Sequence, residues 1–136
     1  LETGGAWVGI EQLTLERVLG GLLQPLAWAL GIPWDEAQLA GSLIGQKFIL
    51  NEFVAYVTYS EVAGQLSPHS QAIVIFALCG FANLSSIAIL LGGLGAVAPG
   101  RRDDISRYGF RALIAASLSN LMTAALAGFF LTLGAA

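Results

Sequence analysis

The pattern of apolar and polar positions divides the chain into four hydrophobic segments separated by short polar turns. The first segment runs from Thr14 to Ile32 and contains Pro25. Thr14 is suited to cap a helix start, because its hydroxyl can accept a hydrogen bond from the first turn. Residues 1–36 are therefore predicted to form an N-terminal loop or interfacial helix, with Trp7 at the level of the lipid headgroups, followed by the first membrane-spanning helix.

The second segment, residues 37–66, is apolar but interrupted by polar side chains, and Gly41 and Gly45 allow another helix to approach closely. Each half has about 14 residues, too few to cross a hydrocarbon core of about 30 Å at 1.5 Å per residue. The favoured interpretation is a re-entrant helical hairpin with Asn51 and Glu52 at its tip. One unusually polar crossing is the alternative.

The third segment, residues 67–100, begins with Ser67 as a helix cap and Pro68 in the first turn. It contains no charged residue, yet glycine and polar side chains occupy its middle. The pattern predicts one transmembrane helix that is broken around residues 80–86. Transporters commonly build their binding sites at such broken helices.

The fourth segment, residues 101–136, starts with a charged cluster and continues into an uncharged run from Ala112 to about Leu133. Four arginines fall within 11 positions, which indicates a cytoplasmic loop under the positive-inside rule. The run is predicted to be the last transmembrane helix, and its small residues suit tight packing against another helix: Ala115, Ser119, Ala124 and Gly128.

Together these segments predict an all-α polytopic integral membrane protein with a re-entrant helical hairpin and a broken transmembrane helix. Composition supports this class: 56% of the 136 residues are hydrophobic and 11% are charged, against about 25% charged in soluble domains. The formal charge of -3 gives no reason to expect a nucleic-acid partner. The chain starts without a methionine or a basic leader, so it is expected to begin inside a longer protein.

Glu52 is the strongest candidate for a functional side chain, because a carboxylate inside a membrane costs on the order of 2.5–3.5 kcal/mol on insertion scales. It either meets a cation, a polar ligand or water, or it pairs with Lys47 or lies at the membrane interface. Lys47 is four positions from Asn51, on one helix face if the helix is continuous. Its slightly favoured role is to extend its ammonium group to the membrane surface.

Asn83 and Ser86 form the second candidate, because residues three apart share a helix face. An amide and a hydroxyl can each donate and accept, which suits the binding of vicinal hydroxyl groups. Hydrogen bonding between helices is the alternative. Phe81 either stacks on a ligand ring or faces lipid.

An enzyme is not predicted, since the chain lacks metal-ligand spacing, a nucleophile elbow and a phosphate-binding loop. No cofactor or metal ligand is assigned. A second possible function is a non-transporting membrane subunit whose polar residues serve helix packing.

Two motifs resemble those of the concentrative nucleoside transporter family. Residues 45–56 read GQKFILNEFVAY, and residues 77–87 read ALCGFANLSSI. Both resemble family signatures in the family's order, and residues 99–115 resemble the loop into its last helix. The resemblance covers about residues 40–128.

This resemblance implies the C-terminal half of a Na⁺- or H⁺-coupled symporter for a uridine-like nucleoside, which works as a homotrimer by an elevator-like motion. Glu52, Asn83 and Ser86 would hold the ribose hydroxyls, Phe81 would line the pocket, and the first helix would be a scaffold. The family binds the nucleobase and sodium ion mainly through segments absent from these residues, so the coupling-ion ligands are expected elsewhere and this chain alone is not expected to transport. The expected location is the bacterial inner membrane, as a multi-pass protein in contact with lipid.

Overall fold

The computed structural model describes residues 14–134, and in that range every regular element is a helix. The all-α prediction is therefore confirmed, whereas the predictions for residues 1–13, including Trp7, lie outside the described residues. The helices are α1 Leu15–Ala29, α2 Trp34–Ile49, α3 Glu52–Val62, α4 Pro68–Leu78, α5 Leu84–Val97 and α6 Arg102–Gly134, with 3₁₀ turns at Ala63–Gln65 and Pro99–Arg101.

The start of α1 is the one that the sequence predicts. The Thr14 hydroxyl accepts a hydrogen bond from the Arg17 backbone N–H at 3.4 Å. Pro25 lies within the helix, which continues to Ala29. A turn follows in which Gly31 has a φ of 100°, a left-handed conformation that glycine adopts without a steric penalty.

Helices α1 and α2 touch through glycines, as Gly41 and Gly45 predict. A Cβ atom added at Gly41 would lie 2.9 Å from the backbone carbon of Leu23, and one at Gly45 would lie 2.7 Å from the Leu19 Cβ. Gly20 of α1 is equally close to α2, because a Cβ atom there would lie 2.7 Å from the Gln38 carbonyl oxygen. The two backbones are close enough that side chains at these positions would prevent the contact.

Helices α2 and α3 form a pair that folds back on itself across Leu50 and Asn51. The Thr58 hydroxyl donates to the Gln46 side-chain oxygen at 2.9 Å, although the two residues lie on opposite sides of the link. Residues 37–64 therefore contain two helices and not one continuous helix. Asn51 lies outside both helices, so it does not share a helix face with Lys47 as a continuous helix would require.

The third segment is interrupted as predicted, but the break spans Cys79–Asn83, and residues 84–86 belong to the first turn of α5. The predicted cap of α4 is also present, since the Ser67 hydroxyl accepts from the Ser70 N–H at 3.3 Å and Pro68 opens the helix. Helix α4 lies between α2 and α6. Its buried side chains join the core with those of α2: Ala37, Ala40, Leu43, Ile44, Ile73, Val74, Ala77 and Leu78.

The charged segment after Pro99 is helical, so the prediction of a loop there is wrong. Helix α6 begins at Arg102 and runs for 33 residues. Asp103 and Asp104 lie in its first turn, where carboxylates interact favourably with the helix dipole. Arg101 forms an ion pair with Asp104 at 2.7 Å. The charged residues alone did not indicate whether this segment is a loop or the solvated end of a helix.

The segment Pro99–Gly134 is long and apolar enough to cross a membrane, by length and composition. Ala124 and Gly128 are buried as predicted, whereas Ala115 and Ser119 are exposed. A Cβ atom at Gly128 would lie 2.6 Å from the Ile73 Cδ1. Gly128, the smallest of these four residues, therefore lies where α6 contacts α4.

Candidate functional site

The link between α2 and α3 lies next to the break between α4 and α5. The Asn83 side-chain N–H donates to the Glu52 carboxylate at 3.2 Å, across 31 positions of sequence. Glu52 is the first residue of α3 and Asn83 directly precedes α5. The contact therefore joins the N-terminal ends of two helices that follow separate breaks.

Glu52 is held in place by the local structure of the α2–α3 link. The Asn51 side-chain oxygen accepts from the Val54 N–H at 2.9 Å, which caps α3. Glu52 then lies in the first helical turn and is half-buried. The positive end of the helix dipole favours a carboxylate at this position, so local structure stabilises the charge that an apolar environment opposes.

Asn83 and Ser86 meet, but as a helix cap rather than as two residues on one helix face. The Asn83 side-chain oxygen accepts from the Ser86 N–H at 2.9 Å. The Ser86 hydroxyl oxygen accepts from the Asn83 N–H at 3.3 Å and donates to the Asn83 carbonyl at 2.6 Å. Because Asn83 is the cap and not a helical residue, the spacing rule for a shared face does not apply to it.

The hydrogen bonds at this junction leave mainly acceptor capacity. Both N–H groups of the Asn83 amide have acceptors, Glu52 and the Phe81 carbonyl at 3.3 Å. The hydroxyl proton of Ser86 is also engaged. Carboxylate, amide and hydroxyl oxygens each have further lone pairs. The junction is therefore suited to a ligand that donates hydrogen bonds.

Phe81 lies in the break and is 60% exposed. It lines a largely apolar cavity of about 420 Å³ between α5 and α6, together with Gly80, Ser86 and Leu90. Glu52 and Asn83 are not among the residues that line this cavity. The structure thus brings Glu52, Asn83 and Ser86 together, and places the Phe81 ring on the neighbouring cavity.

Lys47 is the residue for which sequence reasoning favoured the wrong role. It is fully buried, and its ammonium donates to the Asn120 side-chain oxygen at 2.9 Å instead of extending to the membrane surface. It lies 4.8 Å from the centroid of the Phe48 ring. Within residues 14–134 no ion pair joins Lys47 to Glu52.

Asn120 was missed, although one signal for it exists. It is the one asparagine in the uncharged run of α6, where apolar and small residues predominate. A side-chain amide at such a position usually finds a partner on another helix. Its amide nitrogen donates to the Phe76 carbonyl at 2.9 Å, so Asn120 contacts both α2 and α4.

Comparison with known proteins identifies a family. Residues 1–128 match the family described as "Na+ dependent nucleoside transporter C-terminus". The chain is 54% identical over 132 residues to the putative nucleoside permease NupX of Escherichia coli, covering 95% of this chain and 32% of that protein. It is 49% identical over 131 residues to the nucleoside permease NupC of Helicobacter pylori, covering 93% of this chain and 31% of that protein.

The fold is also similar to that of a solved structure. The solved structure of CNTnw in an inward-facing substrate-bound state superposes with a TM-score of 0.91 at 55% identity, covering 99% of this chain and 34% of that one. The chain thus spans about a third of the length of these relatives, less than the half that the sequence led us to expect. The two relatives are named as permeases and the family description names a transporter, which confirms the prediction that the chain is not an enzyme.

Proposed function

This chain belongs to the Na⁺-dependent nucleoside transporter family, whose C-terminal part it matches, and we propose that it supplies the ribose-binding part of a cation-coupled nucleoside symporter. One observation carries the proposal: Glu52, Asn83 and Ser86 converge at a junction of two helix breaks whose remaining hydrogen-bonding capacity is mainly that of acceptors.

The chemistry of the junction fits a ribose. Two neighbouring hydroxyls of a sugar can both donate, and the carboxylate of Glu52 can accept from both. Such bonds to an ionised group are stronger than those between neutral groups. Asn83 holds the carboxylate through its amide, so the acceptor is oriented before a ligand arrives. Phe81 and Ser86 line the adjoining cavity, and the Phe81 ring is proposed to pack there against the sugar or base.

Helix lengths support the proposed membrane arrangement. Helices α2 and α3 contain 16 and 11 residues, about 24 and 17 Å at 1.5 Å per residue, and neither reaches the ~30 Å of a hydrocarbon core. The pair is therefore proposed to be a re-entrant hairpin that enters and leaves by one face. Helices α4 and α5 together form the broken crossing, and α6 spans with its arginine-rich end in the cytoplasm.

The coupling ion is proposed to be sodium, because the family description names it; a proton is the alternative. Its ligands are proposed to lie outside this segment, and no resident cofactor is assigned. The full-length protein is proposed to be a homotrimer in the bacterial inner membrane, with several passes through the bilayer and a uridine-like nucleoside as substrate.

A second candidate is a non-transporting membrane subunit. The hydrogen bonds between Asn83 and Ser86 favour it, because they serve helix capping without any ligand. The two candidates differ in what the Glu52 carboxylate does. A transporter needs it for the nucleoside, whereas a packing subunit needs it for assembly.

Titration calorimetry of uridine against the full-length protein, with and without sodium, tests the proposal. We expect Glu52→Gln to abolish binding and to leave the oligomer intact by light scattering. Glu61→Gln is the matched control, because Glu61 is exposed at the far end of the same segment; it should bind as wild type does. Equal uridine binding by Glu52→Gln would remove Glu52 from the site, and loss of the oligomer would favour the packing subunit.

A further inference from the structure

The break between α4 and α5 is held by a side chain from a distant helix. In a continuous helix the Phe76 carbonyl would accept from the N–H of residue 80. Here it accepts from the Cys79 N–H at 3.3 Å and from the Asn120 side-chain amide at 2.9 Å. Asn120 thus supplies a donor where the interrupted helix has lost one.

Gly80 gives Asn120 the room to do so. A Cβ atom at position 80 would lie 2.5 Å from the Asn120 side-chain oxygen and 2.6 Å from its Cγ. Both distances are far below van der Waals contact. The glycine is required here because another side chain occupies the space beside it.

Lys47 completes the arrangement from α2. Its ammonium donates to the Asn120 oxygen at 2.9 Å, near the C-terminal end of α4, where the helix dipole favours a positive charge. A buried ammonium without such partners is strongly unfavourable. One amide therefore links three helices, with its oxygen directed at α2 and its nitrogen at α4.

The orientation of that amide follows from chemistry. A lysine ammonium can only donate and a carbonyl can only accept. The Asn120 oxygen therefore has to face Lys47 and the amide nitrogen has to face Phe76. An aspartate at position 120 keeps the first contact and loses the second, and an alanine loses both.

We propose that Asn120 and Lys47 are positioning residues for the substrate site, because they fix the end of α4 and with it the five-residue break whose last residue, Asn83, orients Glu52. This inference rests on the proposed function for its effect on transport. Its effect on the break itself does not depend on that function.

Two measurements on the full-length protein, in lipid nanodiscs and in proteoliposomes, separate the effect on the break from the effect on transport. Hydrogen exchange of the amides of residues 79–86 reports on the break, and uridine uptake reports on the site. We expect Asn120→Ala to speed exchange in that segment about tenfold and to raise the KM for uridine about tenfold, with a change in kcat of less than about twofold. A purely structural defect would lower the amount of active protein and leave KM unchanged.

Three further variants sharpen the test. Thr123→Val is the matched control, since Thr123 lies one turn away on α6 and bonds within its own helix; it should match wild type in both measurements. Gly80→Ala should reproduce Asn120→Ala, and combining the two should add little. Asn120→Asp, which keeps the contact with Lys47, should assemble and still show faster exchange.

Wild-type exchange of residues 79–86 in both Asn120→Ala and Asn120→Asp would overturn the inference, whatever the uptake. Faster exchange with an unchanged KM would restrict Asn120 to a structural role and would also overturn it. Failure of the wild type to bind or take up uridine would instead overturn the proposed function, and with it the effect of Asn120 on transport.

Discussion

Two regions of the molecule hold helices together by opposite means. Between α1 and α2, contact depends on missing side chains, with Gly20, Gly41 and Gly45 at the closest points. Around the two helix breaks, contact depends on polar side chains that bond across long stretches of sequence. Lipid offers little hydrophobic drive for helices to associate, so close packing and hydrogen bonds are the two available solutions. The first builds the α1–α2 scaffold, and the second leaves oxygen atoms with spare acceptor capacity, as the proposed ligand would need.

The largest effect is expected for Asn83→Asp, in the region of the helix breaks. The substitution keeps an oxygen for the cap but places a second carboxylate about 3 Å from Glu52, where two like charges disfavour each other strongly. We expect uridine affinity to fall by at least about 100-fold, or about 3 kcal/mol. Calorimetry measures it, with light scattering as a check that the oligomer persists. Retained affinity would show that Glu52, the carboxylate beside Asn83, does not bind the nucleoside.

The next largest effect is expected in the scaffold. Gly41→Ala adds a Cβ atom 2.9–3.0 Å from the backbone of Leu23, Gln24 and Gly20, and backbone can yield only if the helices move apart. We expect a loss of about 2 kcal/mol in unfolding free energy, measured by thermal unfolding in detergent.

Gly21→Ala provides the contrast for that prediction. Gly21 has no atom within 4 Å of an added Cβ among the described residues, so alanine should stabilise α1 by about 0.5–1 kcal/mol. Uridine affinity should stay near that of wild type in the Gly21 variant. Equal destabilisation by both alanines would contradict the idea that the scaffold depends on close backbone contact.

The two asparagine caps allow a finer comparison. Asn51 and Asn83 each cap a helix at 2.9 Å, but Asn51 is half-buried and Asn83 is 2% exposed and bonded to Glu52. Serine preserves a cap oxygen at either position. We expect Asn83→Ser to cost about 1.5 kcal/mol of stability, the value of a bond to a charged group, and Asn51→Ser to cost less than about 0.5 kcal/mol. Thermal unfolding of both variants measures these losses of stability. Equal losses would mean that the Asn83–Glu52 hydrogen bond contributes nothing to stability.

Phe81→Ala is expected to affect the ligand and not the fold. The side chain is exposed, so its loss should change stability by less than about 0.5 kcal/mol. If the ring packs against the nucleoside, uridine affinity should fall about tenfold, which corresponds to about 1.4 kcal/mol. Phe81→Leu should retain part of that affinity. An affinity unchanged in both variants would place the ring away from the ligand.

Sequence predicted features that depend on nearby residues. The caps at Thr14 and Ser67 and the break near Gly80 follow from local chemistry that a short window contains. Gly41 and Gly45 predicted a close contact with another helix, although their spacing did not identify α1 as the partner. The charged start of α6 was misassigned because arginines occur both in loops and in solvated helix ends.

The candidate site residues were chosen from local chemistry, which does not contain their arrangement in space. Glu52, Asn83 and Ser86 stood out as polar groups in apolar segments, and their meeting depends on how two breaks pack, which no local pattern contains. Lys47 was misjudged because its partner Asn120 lies 73 positions away. A buried lysine can be recognised only when the group that satisfies it is known.

The same separation has a consequence for how the protein is made. At 5–20 residues per second, a ribosome adds Asn120 roughly 4 to 15 s after Lys47. During that interval α1 and α2, whose contacts are local, can already pair, while the ammonium of Lys47 stays in contact with water, lipid headgroups or the insertion machinery. The α2–α3 pair therefore reaches its final place only when α6 arrives, so a helix that is synthesised later completes the surroundings of Lys47.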